Sequence, residues 1–268
     1  MSSLPIGIVI PRLKTSQDLA AHTRCLSLQS AQDLGAHAHW VTDAEGDADT
    51  LLNQQEYAAY LDALLAGDYA ACAQRVQGLI DRNVDLKALY VQVFERSLYD
   101  VGKRWERNEI SVATEHLATS ITESLLTLGY PRLFGGTHKP FSAVVSCVAN
   151  EFHQLGGQMV ADTLELNGWH GYFLGPNVPL KDLLGFVEDK QPDILALSIS
   201  VFFNMPALTE ALEAICARFP ALPTFIGGQA FAWGGSDRVN SFPNAQVILS
   251  LADFESRLRE IERKGCAG

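Results

Sequence analysis

The sequence predicts a four-helix bundle followed by a parallel α/β domain with helices on both faces of its sheet. Two observations support this fold class. Between about residues 49 and 134, apolar residues recur at helical spacing, which is typical of antiparallel helices with short connections. From about residue 141, short apolar runs alternate with amphipathic helices, as in βαβ units. We therefore divide the chain into an N-terminal extension (1–48), a bundle (49–134) and an α/β domain (141–268).

The bundle is justified by four helical segments with identifiable ends. The first carries Tyr57, Tyr60 and Leu64 at helical spacing and stops at Gly67. Asp68 can cap the second helix, and the break at 83–85 ends in another capping residue. The fourth helix is predicted from about Ser111 to 128, where Gly-Tyr-Pro stops it. The extension contains a predicted strand at 6–10 and a predicted helix at 17–34, but no motif.

The α/β domain is justified by five short apolar runs. They cover residues 143–148, 171–174, 194–198, 224–226 and 247–249. Helical patterns near 155–167, 180–189, 206–218 and 252–263 separate them. Ligands of such sheets bind at the C-terminal ends of the strands. The end of the first strand is therefore the first place to look for a site.

Composition limits the functional classes. The 268-residue chain has a formal net charge of −11, so we expect no direct binding to nucleic acid, because phosphate would be repelled. No apolar stretch approaches the roughly 20 residues that span a bilayer, so we expect no membrane segment. The 5 cysteines are scattered without a C-x-x-C pair, which favours a reduced, cytoplasmic protein.

The segment Glu151-Phe152-His153-Gln154-Leu155-Gly156-Gly157 lies where the first strand becomes a helix. It lacks the G-x-G-x-x-G spacing of a dinucleotide site, and it has too few neighbouring ligands for a zinc site. A loop histidine that is hydrogen-bonded to Glu151 is the simplest structural alternative. Further features at the same sheet edge favour a functional role. They are Ser198 and Ser200 after the third strand, Gly227 and Gly228 after the fourth, and the loop 175–179 after the second.

This set resembles the cobalamin-binding domain of the methionine synthase and methylmalonyl-CoA mutase class, which has a Rossmann-like (flavodoxin-like) fold. The family pattern is D-x-H-x-x-G, then S-x-L or S-x-T, then G-G. The resemblance implies base-off binding, with His153 as lower cobalt ligand in place of the dimethylbenzimidazole base. Glu151 stands for the family Asp, and Ser200 stands where Leu or Thr is usual. The implied site on this side comprises Glu151, His153, Gln154, Gly156, Val178, Ser198, Ser200, Gly227 and Gly228.

Each implied residue has a physical reason to be there. A neutral imidazole nitrogen is a good ligand for cobalt. A carboxylate two residues away can hold the proton on the other nitrogen and so fix the tautomer. Glycines allow backbone to approach a bulky ligand.

A second motif lies in the bundle, where nine residues separate Trp105 from Glu115-His116. A core tryptophan and a solvated helix face are the structural alternatives. The spacing closely resembles the W-x9-E-H motif of light-sensing cobalamin proteins of the CarH and LitR type. That resemblance implies that Trp105, Val112, Glu115 and His116 cover the upper face of the corrin. Glu106 stands where the family has the histidine that captures cobalt after light, so His116 is the possible upper ligand. The upper ligand stays open among adenosyl, methyl, hydroxo and a protein histidine.

These patterns predict a cobalamin-dependent sensor of light or cobalamin. Residues 1–48 do not read as a helix-turn-helix, so the chain resembles the AerR group of antirepressors, which act on a protein partner such as a transcriptional repressor. The alternative is a corrinoid carrier that shuttles methyl groups, and storage or trafficking is a third possibility. No catalytic constellation for a separate substrate is present, so no enzyme activity is predicted. The sequence does not indicate the oligomeric state.

Overall fold

The computed structural model describes residues 50–265, which belong to one compact unit. It confirms the predicted fold class, because a helical bundle precedes a parallel sheet with helices on both faces. The predicted strand at 6–10 and the predicted helix at 17–34 lie outside the described residues.

Four main helices form the bundle, and their bounds follow the predicted breaks. They are α1 (Gln54–Leu65), α2 (Tyr69–Asp81), α3 and α4 (Val112–Leu126), and a short α5 (Tyr130–Leu133) follows. Helix α3 has three parts, Leu86–Leu89, a π-helical segment Tyr90–Glu95, and Arg96–Glu106. None of the described helices is both long and apolar enough to cross a membrane.

Side-chain caps explain where these helices begin. Asn53 and Glu56 form a reciprocal capping box at the start of α1. The Asp68 carboxylate accepts a hydrogen bond from Ala71 N at 3.0 Å, and the Ser111 hydroxyl accepts one from Thr114 N at 3.1 Å. Such caps satisfy amide groups that would otherwise lack a partner. The sequence predicted the cap at Asp68 and also the one at Asp85, whose carboxylate accepts a hydrogen bond from Lys87 N at 3.3 Å. The Ser111 cap was not predicted.

The sheet has the strand order β2-β1-β3-β4-β5, and all of its pairings are parallel. The strands are β1 (Ser142–Cys147), β2 (His170–Phe173), β3 (Ile194–Ser198), β4 (Thr224–Gly227) and β5 (Ala245–Val247). The helices are α6 (Leu155–Leu166), α7 (Leu180–Lys190), α8 (Met205–Arg218), α9 (Ser236–Asn240) and α10 (Leu251–Gly265). Apolar residues of α6 and α10 pack on one face of the sheet, and those of α7 and α8 pack on the other. The doubly wound arrangement leaves the C-terminal strand ends free to form a site.

The fifth strand differs from its prediction. We predicted it at 247–249, but β5 pairs with β4 from Ala245 opposite Thr224 to Val247 opposite Ile226. The strand therefore includes polar Gln246, while Leu249 lies beyond the pairing and is 57% exposed. An edge strand is buried less completely than a central one, so its apolar run does not mark its ends. Helix α9 was not predicted.

The bundle packs directly on the α/β domain. Leu155 and Met159 of α6 belong to the same buried apolar cluster as the bundle core. The Tyr90 hydroxyl donates a hydrogen bond to the buried Asp162 carboxylate at 2.9 Å. Moving the bundle off the sheet domain would expose the two apolar side chains and break this bond, so the contact is costly to open.

The connection at 134–140 is attached to the sheet domain over its second half. Lys139 N donates to Gly168 O at 2.6 Å. The rings of His138 and His170 stack with their centroids 4.2 Å apart. Any bending between the two domains is therefore concentrated in the residues before His138.

Replacing Gly228 by alanine should lower the free energy of unfolding by more than about 2 kcal/mol. A Cβ atom there would lie 2.0 Å from Ile199 O, and the backbone has φ +127. Gly185→Ala in α7 is the matched control, because its Cβ would meet nothing within 4 Å. The control should be neutral or should stabilise by about 0.5–1 kcal/mol. Urea unfolding of both variants, followed by circular dichroism, measures the difference. Equal stabilities would contradict the prediction.

Candidate functional site

The Glu151 carboxylate is the centre of a hydrogen-bond network at the C-terminal edge of the sheet. Its side chain is 0% exposed. One oxygen lies 2.6 Å from His153 Nδ1 and accepts a hydrogen bond from His153 N at 3.0 Å. The other oxygen accepts hydrogen bonds from the amides of Ser200 at 2.9 Å and Val201 at 3.0 Å, and from the Asn204 side chain at 3.1 Å. One buried carboxylate thereby joins the loop after β1 to the loop after β3.

These contacts fix the charge of the network. Burial is the largest influence on Glu151 and raises its pKa, but the hydrogen bonds from His153, Val201 and Ser200 outweigh it and lower the pKa to about 2. The carboxylate is therefore ionised at neutral pH. The pKa of His153 is raised, first by its hydrogen bond to Glu151, while burial opposes that shift and the charges of Glu151 and Glu115 add to it.

The network leaves one nitrogen of His153 free for a ligand. Because the ionised carboxylate can only accept, Nδ1 carries the proton in the neutral ring and Nε2 carries the lone pair. Within the described part of the chain, Nε2 makes no hydrogen bond, and the side chain is 52% exposed. A histidine oriented in this way by a carboxylate is the arrangement that metal sites use.

The loop that carries His153 is braced by the loop after β2. Asn150 has a positive φ of 66°, and its amide donates to the Asn177 side chain at 2.9 Å. In return, Asn177 N donates to Glu151 O at 2.9 Å. Asparagine tolerates the left-handed conformation better than most residues, which explains its use at 150 and also at 177, where φ is 52°.

Glycines let the start of α6 pack closely on the ends of β2 and β3. A Cβ on Gly156 would lie 3.8 Å from Ser198 Oγ, and one on Gly157 would lie 3.1 Å from the Phe173 ring. Ser198 pairs with Gly227 in the sheet register. Ser198 is 7% exposed, and its hydroxyl has no hydrogen-bond partner among residues 50–265. A nearly buried hydroxyl without a partner beside glycine backbone suits a ligand that supplies a hydrogen-bonding group.

The bundle places its motif over this edge. Trp105 at the end of α3 is 46% exposed, and Val112 at the start of α4 is 52% exposed. Glu115 lies 2.7 Å from His116 Nδ1, and its charge acts on His153. The Trp105 and Val112 side chains are therefore available to contact a ligand at this edge.

The structure brings most of the sequence-predicted site residues together, but not Val178. Its side chain packs with the cluster under α7 and α8, whereas Ser198 and Gly157 meet on the α6 side of the sheet. Ser200 acts through its backbone amide. Gln154 donates a hydrogen bond to Glu123 of α4 at 3.0 Å and so links the loop to the bundle.

The sequence analysis missed Asn204 and Glu123. Asn204 stands at the N-terminus of α8, where an asparagine normally indicates a helix cap, but it makes no capping bond and serves Glu151 instead. Glu123 carried no signal in the sequence, because a carboxylate on a helix is usually solvated.

Glu151→Gln should lower the free energy of unfolding by about 1 to 3 kcal/mol at pH 7, since it removes the buried charge that accepts these bonds. The folded-state pKa is lowered from 4.5 to about 2, so this stability is present above pH 4.5 and is lost as pH falls towards 2. The difference in free energy of unfolding between the parent and the variant should therefore become smaller as the pH is lowered. Urea unfolding at several pH values tests this, with Glu210→Gln on the exposed side of α8 as control. A gap that stays constant with pH would contradict the assignment.

Comparison with known proteins supports cobalamin binding. Residues 57–128 and residues 141–238 match two domain families, both described as B12 binding domain. The chain is 29% identical over 174 residues to the HTH-type transcriptional repressor CarH of Myxococcus xanthus. The aligned residues cover 63% of this chain and 57% of the repressor. The chain therefore spans just over half the length of that relative.

Corrinoid proteins are also similar. Trimethylamine corrinoid protein 1 of Methanosarcina acetivorans is 20% identical over 206 residues, covering 75% of this chain and 94% of that protein. The solved monomethylamine corrinoid protein of Methanosarcina barkeri superposes with a TM-score of 0.67 at 14% identity, covering 78% of this chain and all of the other. At that identity the likeness shows the fold alone.

The residues present fit cobalamin. The free His153 nitrogen suits cobalt, and the unpartnered Ser198 hydroxyl beside Gly156 can hydrogen-bond with a nucleotide tail. The chain is thus a cobalamin-binding protein with similarity to the CarH repressors, and its cofactor is cobalamin.

Proposed function

We propose that this chain is a cobalamin-dependent sensor, of light or of cobalamin itself, that controls transcription through a protein partner. The observation that carries the proposal is the half-exposed Trp105 together with the Glu115–His116 pair, on a bundle that is packed against the edge holding His153. Cobalamin then lies between the bundle and the sheet edge. The bundle side of the site serves as the cover of the upper corrin face.

On the sheet side, His153 would hold cobalt through Nε2 in place of the dimethylbenzimidazole base. Glu151 holds the proton on Nδ1, so Nε2 keeps its lone pair for the metal. The amides of Ser200 and Val201 hold the carboxylate in place. The tail occupies the space bordered by Gly156, Ser198 and the double glycine.

On the upper side, the bundle residues exclude water and position an imidazole. Cobalamin supplies a cobalt ion whose bond to an upper carbon ligand is sensitive to light. Trp105 and Val112 offer apolar surface to that face. Glu115 accepts from Thr119 at 3.1 Å and pairs with His116 Nδ1, so it orients the His116 ring, whose Nε2 would be available to hold cobalt.

The output of such a sensor is a protein contact. The chain has a formal net charge of −11, which disfavours binding to DNA phosphates. A transcriptional repressor is the partner class that we propose, in the manner of an AerR-like antirepressor. Similarity to a protein named a transcriptional repressor supports a role in regulation.

A corrinoid methyl carrier is the second candidate. It is favoured by the match to trimethylamine corrinoid protein 1, which extends over 94% of that protein. A carrier must expose cobalt to partner enzymes. The packing of Leu155 and Met159 into the bundle core and the Tyr90–Asp162 hydrogen bond oppose a large swing of the bundle. We therefore rank the sensor first.

His153→Ala should weaken cobalamin binding by about tenfold or more and shift the absorption spectrum towards that of free cobalamin. The physical reason is the loss of the axial nitrogen. Titration followed by visible spectroscopy measures both effects. His170→Ala, at the exposed start of β2, is the control and should leave the spectrum unchanged. An unaltered spectrum and affinity in His153→Ala would remove His153 from the ligand role.

Green or blue light should change the absorption spectrum of the holo-protein, and His116→Ala should alter the light-state spectrum while leaving the dark-state affinity largely intact. The expected difference reflects the missing upper imidazole. Trp105→Phe serves as a comparison, because it changes the cover of the site and not the ligand. A parent protein that shows no light response but transfers a methyl group to a thiol acceptor would favour the carrier instead.

A further inference from the structure

One face of α3 carries polar groups that the cobalamin motifs do not include. Glu95, Tyr99 and Gly102 are spaced i, i+4 and i+7, so they share a face of the helix. This face adjoins the stripe that packs into the bundle core, which includes Phe94 and Val101. Glu95 is the last residue of the π-helical segment, a type of turn that often occurs at functional sites.

Tyr99 shows which way this face is turned. The Gln229 side chain lies close enough to its hydroxyl to lower the pKa of Tyr99, against the larger effect of burial. Gln229 directly follows Gly228 at the C-terminal end of β4. The face of α3 that carries Glu95 therefore looks onto the same sheet edge as the double glycine.

Space is open along this face. A Cβ placed on Gly102 would meet nothing within 4 Å, although glycine in the middle of a helix lowers helix stability. Trp105, one turn further on, is 46% exposed. The glycine, the half-exposed indole and the Tyr99–Gln229 contact describe a surface that leaves room for a ligand.

Glu95 has a half-buried side chain without a partner. Its carboxylate makes no hydrogen bond or ion pair within residues 50–265, and burial raises its pKa. A carboxylate in this position costs folding free energy unless a donor reaches it. The neighbouring Tyr99 also has a raised pKa, first through burial and then through the charge of Glu95.

We propose that Glu95 and Tyr99 form a polar subsite that binds N–H or O–H groups of bound cobalamin. This rests on the proposed position of cobalamin between the bundle and the sheet edge. Such donors have two sources, the amide side chains of the corrin ring and the hydroxyl or amino groups of an upper ligand. The carboxylate accepts from the donor, and Tyr99, which lies near Gln229, adds a hydroxyl group beside it.

The test compares Glu95→Gln, Tyr99→Phe and the parent in binding adenosylcobalamin, methylcobalamin and hydroxocobalamin, each titrated in the dark. Glu213→Gln, on the exposed side of α8, is the matched control. Loss of a charge-assisted hydrogen bond should weaken binding about tenfold or more in Glu95→Gln. The thermal unfolding temperature of the cofactor-free variant should be equal to or higher than that of the parent, because an unpaired carboxylate is removed. If Glu95 had a purely structural role, the variant would instead unfold at a lower temperature and bind cobalamin like the parent.

The pattern of weakening identifies the source of the donor. Equal weakening for the three cobalamins assigns the subsite to the amides of the corrin ring. Weakening confined to adenosylcobalamin assigns it to the upper ligand. Parent-like affinity of Glu95→Gln for all three overturns the proposal. The His153→Ala spectrum, recorded alongside, shows separately whether cobalamin occupies the proposed position.

Discussion

The arrangement of the site depends on one buried carboxylate. Glu151 accepts hydrogen bonds from two loops at once, and it remains ionised because the donors outweigh the cost of its burial. The same bonds hold the His153 ring and close the end of β3. Moving the carboxylate would therefore change the axial ligand and the neighbouring loop together. A longer side chain than the Asp of the related pattern still reaches both loops.

The sequence predicted the fold class well because its signals are local. Helical spacing, caps such as Asp68 and Asp85, and the apolar runs of the central strands all act over a few residues. It failed at β5, where pairing with β4 rather than apolar character decides the strand. The short α9 carried no periodic signal.

Prediction of the site was uneven for a physical reason. Residues within one motif, such as Glu151 and His153, could be recognised from their spacing. Contacts between distant segments could not, so Asn204, Glu123 and the Tyr99–Gln229 pair appear only in the structure. Val178 was placed by its position after a strand, but its side chain packs on the other face of the sheet. These contacts and the direction of the Val178 side chain depend on the strand order and on which face of the sheet each side chain points to. Neither can be deduced from a single sequence.

The π-helical segment of α3 divides that helix into two parts with different tasks. Because its turn holds more residues, the residues after it lie at a smaller rotation around the helix axis than they would in an uninterrupted α-helix. Tyr90 at its start serves the contact with Asp162, whereas Arg96–Glu106 carries the tryptophan that covers the site. The angle between Tyr90 and Trp105 around the helix axis is thus set by the backbone and not by any side chain. If the segment became a regular α-helix at its present length, Trp105 would turn by about 100° around the helix axis, while the anchor to α6 stayed where it is. Removing one residue from the segment would restore a regular helix and leave Trp105 facing roughly as it does now.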